Sequence, residues 1–321
     1  MILQKFPSHV DSIDCACEAA SVSGVPEHVV VATSSLEGSL WDGGLHLLNA
    51  QTGSLTATAH CLVGISTVRV IPFSSYSGVG EYSYSCISCM DDGKMAIHAV
   101  QSSSGFSCSA VINAHNDCVS ALSVNGSVFV SASWDGSIKC WDMNCTLWHP
   151  TQSIIDAHQK PVNDISISPS SGSMLSSVGQ DGFLRLWDTR DNMDASGCVH
   201  ILGAREPISC VLWDLHDEHR IYVGTDSGRV LAYDTRISSR SRSSDDRGSS
   251  SGSSRSSDSS RLHRGRVRRM RGIQDQRDVL LTGSDDCSVL ALRTSSIPLL
   301  SSSRTSSGYC SGDNDSAVLD R

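Results

Sequence analysis

The residues in this chain best suited to chemistry are two histidine–aspartate pairs, His115 with Asp135 and His158 with Asp181. Each joins an imidazole that titrates near neutrality to a carboxylate able to orient it, the arrangement of a general base. A third histidine, His263, stands in a comparable place. A catalytic pair marks one unique position, yet Asp135 and Asp181 lie 46 residues apart, as do Trp141 and Trp187. The pairs recur, so their role is read as structural. Cys86-Ile87-Ser88-Cys89 has the spacing of two zinc ligands. Residues three apart on a strand point to opposite faces, and no matching second pair follows at ligand distance, so no metal and no other cofactor is expected.

The elements that must position these residues repeat as well. Asp135-Gly136-Ser137-Ile138-Lys139-Cys140-Trp141-Asp142 is matched by Asp181-Gly182-Phe183-Leu184-Arg185-Leu186-Trp187-Asp188 and, more loosely, by the stretch from Ser227 to Asp234. Asp92-Gly93-Lys94-Met95-Ala96-Ile97-His98 carries His at the aromatic position, and frames ending in Leu48 and Leu292 extend the series. Each unit reads as strand, Asp-Gly turn, strand, with glycine free to take positive φ. A period of about 40–45 residues closing on Trp-Asp is the signature of a WD-repeat propeller blade. The expected fold is all-β, a WD-repeat β-propeller with six recognisable blades. In such repeats the His, a second-strand Ser, the turn Asp and the Trp form a buried hydrogen-bond chain. The third blade supplies His115, Ser133, Asp135 and Trp141. The fourth supplies His158, Asp181 and Trp187, with Gly179 where the hydroxyl is expected.

Composition fits this class. The 321 residues carry a net charge of −9, which disfavours a general nucleic-acid surface and favours cationic partners. The 13 cysteines are an odd number scattered through strands, as buried small hydrophobes in a reducing compartment are. The N-terminus lacks the apolar core of a signal peptide, and no apolar run reaches membrane-spanning length. Residence in cytoplasm and nucleus is expected, without direct nucleic-acid or membrane contact.

Blades one to five are expected within 1–237. From Ser238 to Ser260, 14 of 23 residues are Ser, too polar to offset the entropy of ordering, so 238–260 is read as a disordered Ser/Arg-rich insertion. The cationic run Arg264-Gly265-Arg266-Val267-Arg268-Arg269-Met270-Arg271-Gly272 is read as the solvated end of that insertion, with a modified regulatory loop or nucleic-acid contact as the functional alternative. A sixth blade is expected over 261–300 and a disordered Ser-rich tail over 301–321. Too few residues remain for a seventh blade, which is missing or degenerate, and residues near Ile2 to Phe6 can supply the last outer strand.

One stretch points to a particular family. Ser34-Ser35-Leu36-Glu37-Gly38-Ser39-Leu40-Trp41-Asp42-Gly43-Gly44-Leu45-His46-Leu47 resembles the first-blade turn of the methylosome protein 50 family, WD-repeat partners of the type II (symmetric) protein arginine methyltransferase 5. Ser209 to Arg236 and Thr282 to Leu292 look similar to the same family, so the likeness covers roughly residues 12 to 295. The family has seven blades and lacks the Ser/Arg insertion. The resemblance implies a non-catalytic adaptor that presents arginine-rich substrates, histone tails and spliceosomal Sm proteins, to the methyltransferase. It assigns partner binding to Trp41, flanked by Ser39 and Asp42. Independently, Trp41 is read as an exposed aromatic in a polar, Gly-flanked hairpin turn, a typical interface anchor. A competing class remains open. Trp187-Asp188-Thr189-Arg190 and Tyr233-Asp234-Thr235-Arg236 fit the Trp-Asp-x-Arg box of WD-repeat substrate receptors in cullin-RING ubiquitin ligases, with Arg190 and Arg236 as adaptor contacts. An enzyme finds no support, because the sequence holds no glycine-rich phosphate loop, nucleophile elbow or unique carboxylate pair.

Overall fold

Every described strand is laid down antiparallel to its neighbour, hairpin after hairpin, several of them closed by Asp-Gly turns. The computed structural model describes residues 9–16, 28–37, 40–71, 83–101, 105–145, 148–190, 198–204, 206–236, 261–273 and 276–298. The first sheet holds β1 (His9–Ala16), β2 (His28–Glu37), β3 (Leu40–Asn49) and β4 (Leu55–Cys61). The second holds β5 (Ile65–Ile71), β6 (Ser83–Met90), β7 (Lys94–Gln101) and β8 (Gly105–Asn113). The third holds β9 (Val119–Asn125), β10 (Val128–Ser133), β11 (Ile138–Asp142) and β12 (Gln152–Ile154). The fourth holds β13 (Val162–Ile167), β14 (Met174–Gly179), β15 (Phe183–Asp188) and β16 (Cys198–Gly203). Three strands are described in the fifth sheet, β17 (Ile208–Trp213), β18 (Arg220–Thr225) and β19 (Val230–Asp234). The sixth likewise has β20 (Val267–Ile273), β21 (Gln276–Ser284) and β22 (Val289–Arg293). The six sheets are the blades of a WD-type propeller. The candidate segments 238–260 and 301–321, and the candidate outer strand near Ile2 to Phe6, lie outside the described residues.

The sheets stack because alternate residues of each strand feed two different cores. In β10, Phe129 packs with Trp141 against Ile87, Met95 and Ile97 of the second sheet. Its neighbours Val130 and Ala132 pack with Ile138 against Ile165 and Leu175 of the fourth. Five such cores join the six sheets in order. Among the described residues none joins the sixth sheet back to the first, and Val289 on that face is 75% exposed. The two sheets meet instead through Arg271 of β20 and Asp14 of β1, 3.8 Å apart.

One correction and one further contact concern the sixth sheet. The run read as the solvated end of an insertion is the inner strand β20, whose Val267 and Met270 are buried beside the fifth sheet. Apolar residues at 267 and 270 hold it there while the arginines between them face away from that core. Further on, Ile297 is buried in the same core and Pro298 O accepts a hydrogen bond from Ala232 N at 2.9 Å. The chain after β22 therefore returns to the open edge of the fifth sheet.

The inner strands are laced together with a regular register. The second residue of β9, β13 and β17 donates to the first carbonyl of the next inner strand: Ser120 Oγ to Val162 O at 2.6 Å, Asn163 Nδ2 to Ile208 O at 2.7 Å and Ser209 Oγ to Val267 O at 2.7 Å. Ser66 of β5 does the same to Val119 O. The turns are equally constrained. Gly136 sits at φ +83°, and a Cβ there would come within 2.8 Å of His158 O. Gly136→Ala combines left-handed backbone strain with that clash, so a loss of about 1–3 kcal/mol is expected in urea unfolding. Wild-type stability in this variant would show that the turn is not what holds the third blade to the loop beside it.

Candidate functional site

The predicted hydrogen-bond chain exists, with one member changed. In the third blade Trp141 Nε1 donates to Ser131 Oγ at 2.9 Å, and Ser131 Oγ lies 2.7 Å from His115 Nε2. His115 Nδ1 lies 2.8 Å from Ser137 Oγ, which donates to Asp135 at 2.6 Å. Every donor has one acceptor if the ring is neutral and protonated on Nδ1, the tautomer this network selects. The hydroxyl is Ser131, not Ser133. Trp141 pairs across the sheet with Phe129, which puts Ser131 diagonally in reach of the indole N–H while Ser133 sits beyond, at the turn. Ser133 instead donates to Asp117 O at 3.0 Å and accepts from Asp135 N.

The fourth blade is complete for the same reason. Ser177 accepts from Trp187 Nε1 at 2.9 Å and meets His158 Nε2 at 2.8 Å, while His158 Nδ1 reaches Asp181 directly at 3.0 Å. Gly179 is not the missing hydroxyl, and a Cβ there would stand 2.9 Å from His158 Nδ1. Arg185 adds an ion pair to Asp181 at 2.6 Å. The sixth blade repeats the pattern through His263, Thr282 and Ser288, and in the second His98 at the Trp position bonds Ser88 at 2.9 Å. All these groups are occupied inside the blades, so the histidine–aspartate pairs serve the fold. Cys86 and Cys89 divide between the first and second inter-sheet cores, and burial pushes both thiols up to about 12.

The outward-facing candidates lie elsewhere. Pairing of β2 with β3 does not stop at the level where the other hairpins turn; it continues from Ser34↔Gly43 to Glu37↔Leu40. Trp41 is therefore a strand residue rather than a turn residue. Gly43 and Gly44, read as part of a turn frame, allow close approach: a Cβ on Gly43 would lie 2.9 Å from Ile65 Cγ1, and one on Gly44 2.8 Å from His46 Nε2. The hairpin thus projects past the rim. Leu36 and Trp41 are directly opposite on it and are 56% and 54% exposed. Asp42, half-buried, pairs with Ser35, and Ser39 lies outside the described residues. Leu36, given no role in the sequence reading, emerges only from the β2–β3 register that sets it opposite Trp41. Arg190 and Arg236 each fork onto the carboxylate two residues before them, Asp188 and Asp234, with closest contacts of 2.6 Å. Hydrogen bonds from Arg236 hold the Asp234 carboxyl down to about 2. Among the described residues no helix is long and apolar enough to cross a membrane.

Two measurements follow from the buried chains. Trp141 is 1% exposed and stacks on Phe129 at 5.8 Å, so Trp141→Ala is expected to cost about 3–5 kcal/mol in urea unfolding; a loss under 1 kcal/mol would contradict it. Burial lowers the pKa of His46, His98, His115 and His158 below the ordinary 6.5. Folded values below unfolded ones give stability that is complete above 6.5 and drains away as pH falls towards the folded values. At Asp181 burial pushes the carboxyl up, but His158 and Arg185 together outweigh it and hold it down to about 2, so its contribution survives until far lower pH. The urea midpoint should therefore fall between pH 7.5 and pH 5.5, and a flat or rising midpoint would contradict the neutral-histidine chain.

Comparison with known proteins agrees with the repeat structure. The WD domain, G-beta repeat family matches residues 106–142 and 148–188. Each match starts in the outer strand of one sheet, or just before it, and ends in the third strand of the sheet reading the Trp-Asp close. Among curated relatives, the methylosome protein WDR77 of Xenopus laevis is 25% identical over 212 residues, 63% of this chain and 59% of the relative. The target of rapamycin complex subunit wat1 of Schizosaccharomyces pombe is 31% identical over 37% of this chain and 33% of its own. The small ribosomal subunit protein RACK1y of Oryza sativa is 37% identical over 23% of this chain and 22% of its own. The chain thus spans about three fifths or less of the length of these relatives. Two matched repeats, periodic buried chains and six antiparallel sheets give this chain the fold of a WD-repeat β-propeller.

Proposed function

We propose that this chain is a non-catalytic adaptor that binds a type II protein arginine methyltransferase, protein arginine methyltransferase 5, and presents arginine-rich substrates such as histone tails and Sm proteins to it, in cytoplasm and nucleus. The observation that carries this reading is the Leu36–Trp41 pair on a hairpin extended beyond the blade rim. An exposed Trp backed by an exposed aliphatic partner offers a large apolar area with few rotamers to freeze, the character of an interface hot spot. The likeness to a methylosome protein supports the choice of partner, and a net charge of −9 suits basic substrates.

A second reading rests on a separate observation. The Arg190 and Arg236 forks are pre-set by their aspartates and remain 72% and 58% exposed, which suits contact with an adaptor of a cullin-RING ubiquitin ligase. Affinity purification separates the two readings by which enzyme, methyltransferase or cullin, is recovered.

For the favoured reading, Trp41→Ala should weaken methyltransferase binding about thirtyfold, roughly 2 kcal/mol, with an unchanged melting temperature. Binding by titration calorimetry and melting by circular dichroism check both halves. Normal binding, or melting like that of Trp141→Ala, would remove the anchor. In reconstituted reactions on a basic peptide the chain alone should be inactive and should raise the turnover of the methyltransferase; equal turnover with and without it would count against an adaptor.

A further inference from the structure

The inner strands surround a channel of about 700 Å³, within the range of roughly 300–1,000 Å³ usual for small-ligand sites. Its mouth lies at the end where the second and third strands turn, marked by Trp134, Gln180 and Asp285. One wall differs from the rest. Where β5, β9, β13 and β17 carry Ser or Asn at the second position, β20 carries Arg268, followed by Arg269 and Arg271. Beyond β1, Arg69 of β5 faces the same space.

Deep in the channel, around Arg69, the charges do not cancel. Arg69 donates from Nε to Leu122 O at 3.2 Å and from Nη1 to Val68 O at 3.3 Å, both neutral acceptors. Burial first, then the neighbouring Arg271, lowers its pKa to about 10. The nearby carboxylates are already committed. Asp14 accepts from Val70 N at 2.9 Å and stands 3.8 Å from Arg271. Asp164 accepts from Val211 N at 3.0 Å and pairs with Arg269 at 3.2 Å. Nearer the mouth, Arg266 and Arg268 are matched by Asp226 and Asp285, and Asp11 and Asp91 line the channel as well. Around Arg69, three guanidinium groups face two carboxylates, a local excess of positive charge in a chain whose net charge is −9. A local excess of one charge sign is relieved when a counter-charge joins it.

We propose that the channel is a binding site for a small phosphate-bearing anion, held by Arg69, Arg269 and Arg271. Guanidinium forks match the oxygen spacing of a phosphate and can bind it in pairs. The backbone carbonyls fix Arg69 in place before the ligand arrives, so little side-chain freedom is lost on binding. This assignment is independent of the partner bound by the hairpin.

The test is calorimetric titration of the full chain with inorganic pyrophosphate at constant ionic strength, with acetate as the carboxylate comparison. The expected result is saturable one-site binding of pyrophosphate, at least tenfold weaker in Arg271→Gln and in Arg69→Gln, and unchanged in Arg293→Gln, which lies outside the channel. Arg271 is half-exposed, so its variant keeps the test decisive if Arg69→Gln unfolds; circular dichroism confirms the fold of each. No saturable binding by the wild type, equal affinity in Arg271→Gln, or acetate binding as tightly as pyrophosphate would overturn the assignment.

Discussion

A stack of sheets that buries both faces of every strand has to partner each polar group it encloses, and that constraint organises this molecule. An unpartnered buried donor or acceptor costs about 1–3 kcal/mol, so a few would consume the stability of an ordinary domain. Two devices meet the constraint. Within a blade, the indole, hydroxyl, imidazole and carboxylate groups form a chain in which each donor has one acceptor. Between blades, a hydroxyl or amide near the start of one inner strand caps the first carbonyl of the next. Both devices use short side chains whose position the strand already fixes, so they add order at small entropy cost.

The lacing also explains where the channel acquires its character. Four inner strands place Ser or Asn at the second position and direct it sideways, into the ring. At β20 an arginine takes that place and pairs with Asp285 instead, and the arginines that follow line the channel. The same strand stands next to the junction where no apolar core is described, so cationic side chains replace packing at that point of the ring.

Much of this was legible in the sequence because period and chemistry coincide. Trp141, Trp187 and Tyr233 recur every 46 residues, and turn glycines accompany them, which is enough to set sheet order and hairpin polarity. What failed depended on register. Ser131 and Ser133 lie two apart on one face of β10, and only the pairing of Phe129 with Trp141 decides which one the indole reaches. Gly43-Gly44 has the composition of a turn, yet its glycines are required by the approach of Ile65 and Thr33. The arginines from 266 to 271 follow a low-complexity run and read as its continuation, whereas burial of Val267 and Met270 makes them a strand. In each case the deciding contact comes from another part of the chain, out of reach of local pattern.

The account separates a rigid, self-satisfied interior from a recognition element that extends past it. Trp141 and Trp41 are the same residue type in opposite roles, one enclosed by its blade and one left exposed on a longer hairpin. Hydrogen–deuterium exchange on the full chain, alone and with the methyltransferase, tests this most directly. The account predicts added protection over residues 36 to 42 in the complex, with residues 128 to 142 equally slow in both states. Protection appearing around Arg190 and Arg236, with 36 to 42 unchanged, would contradict it.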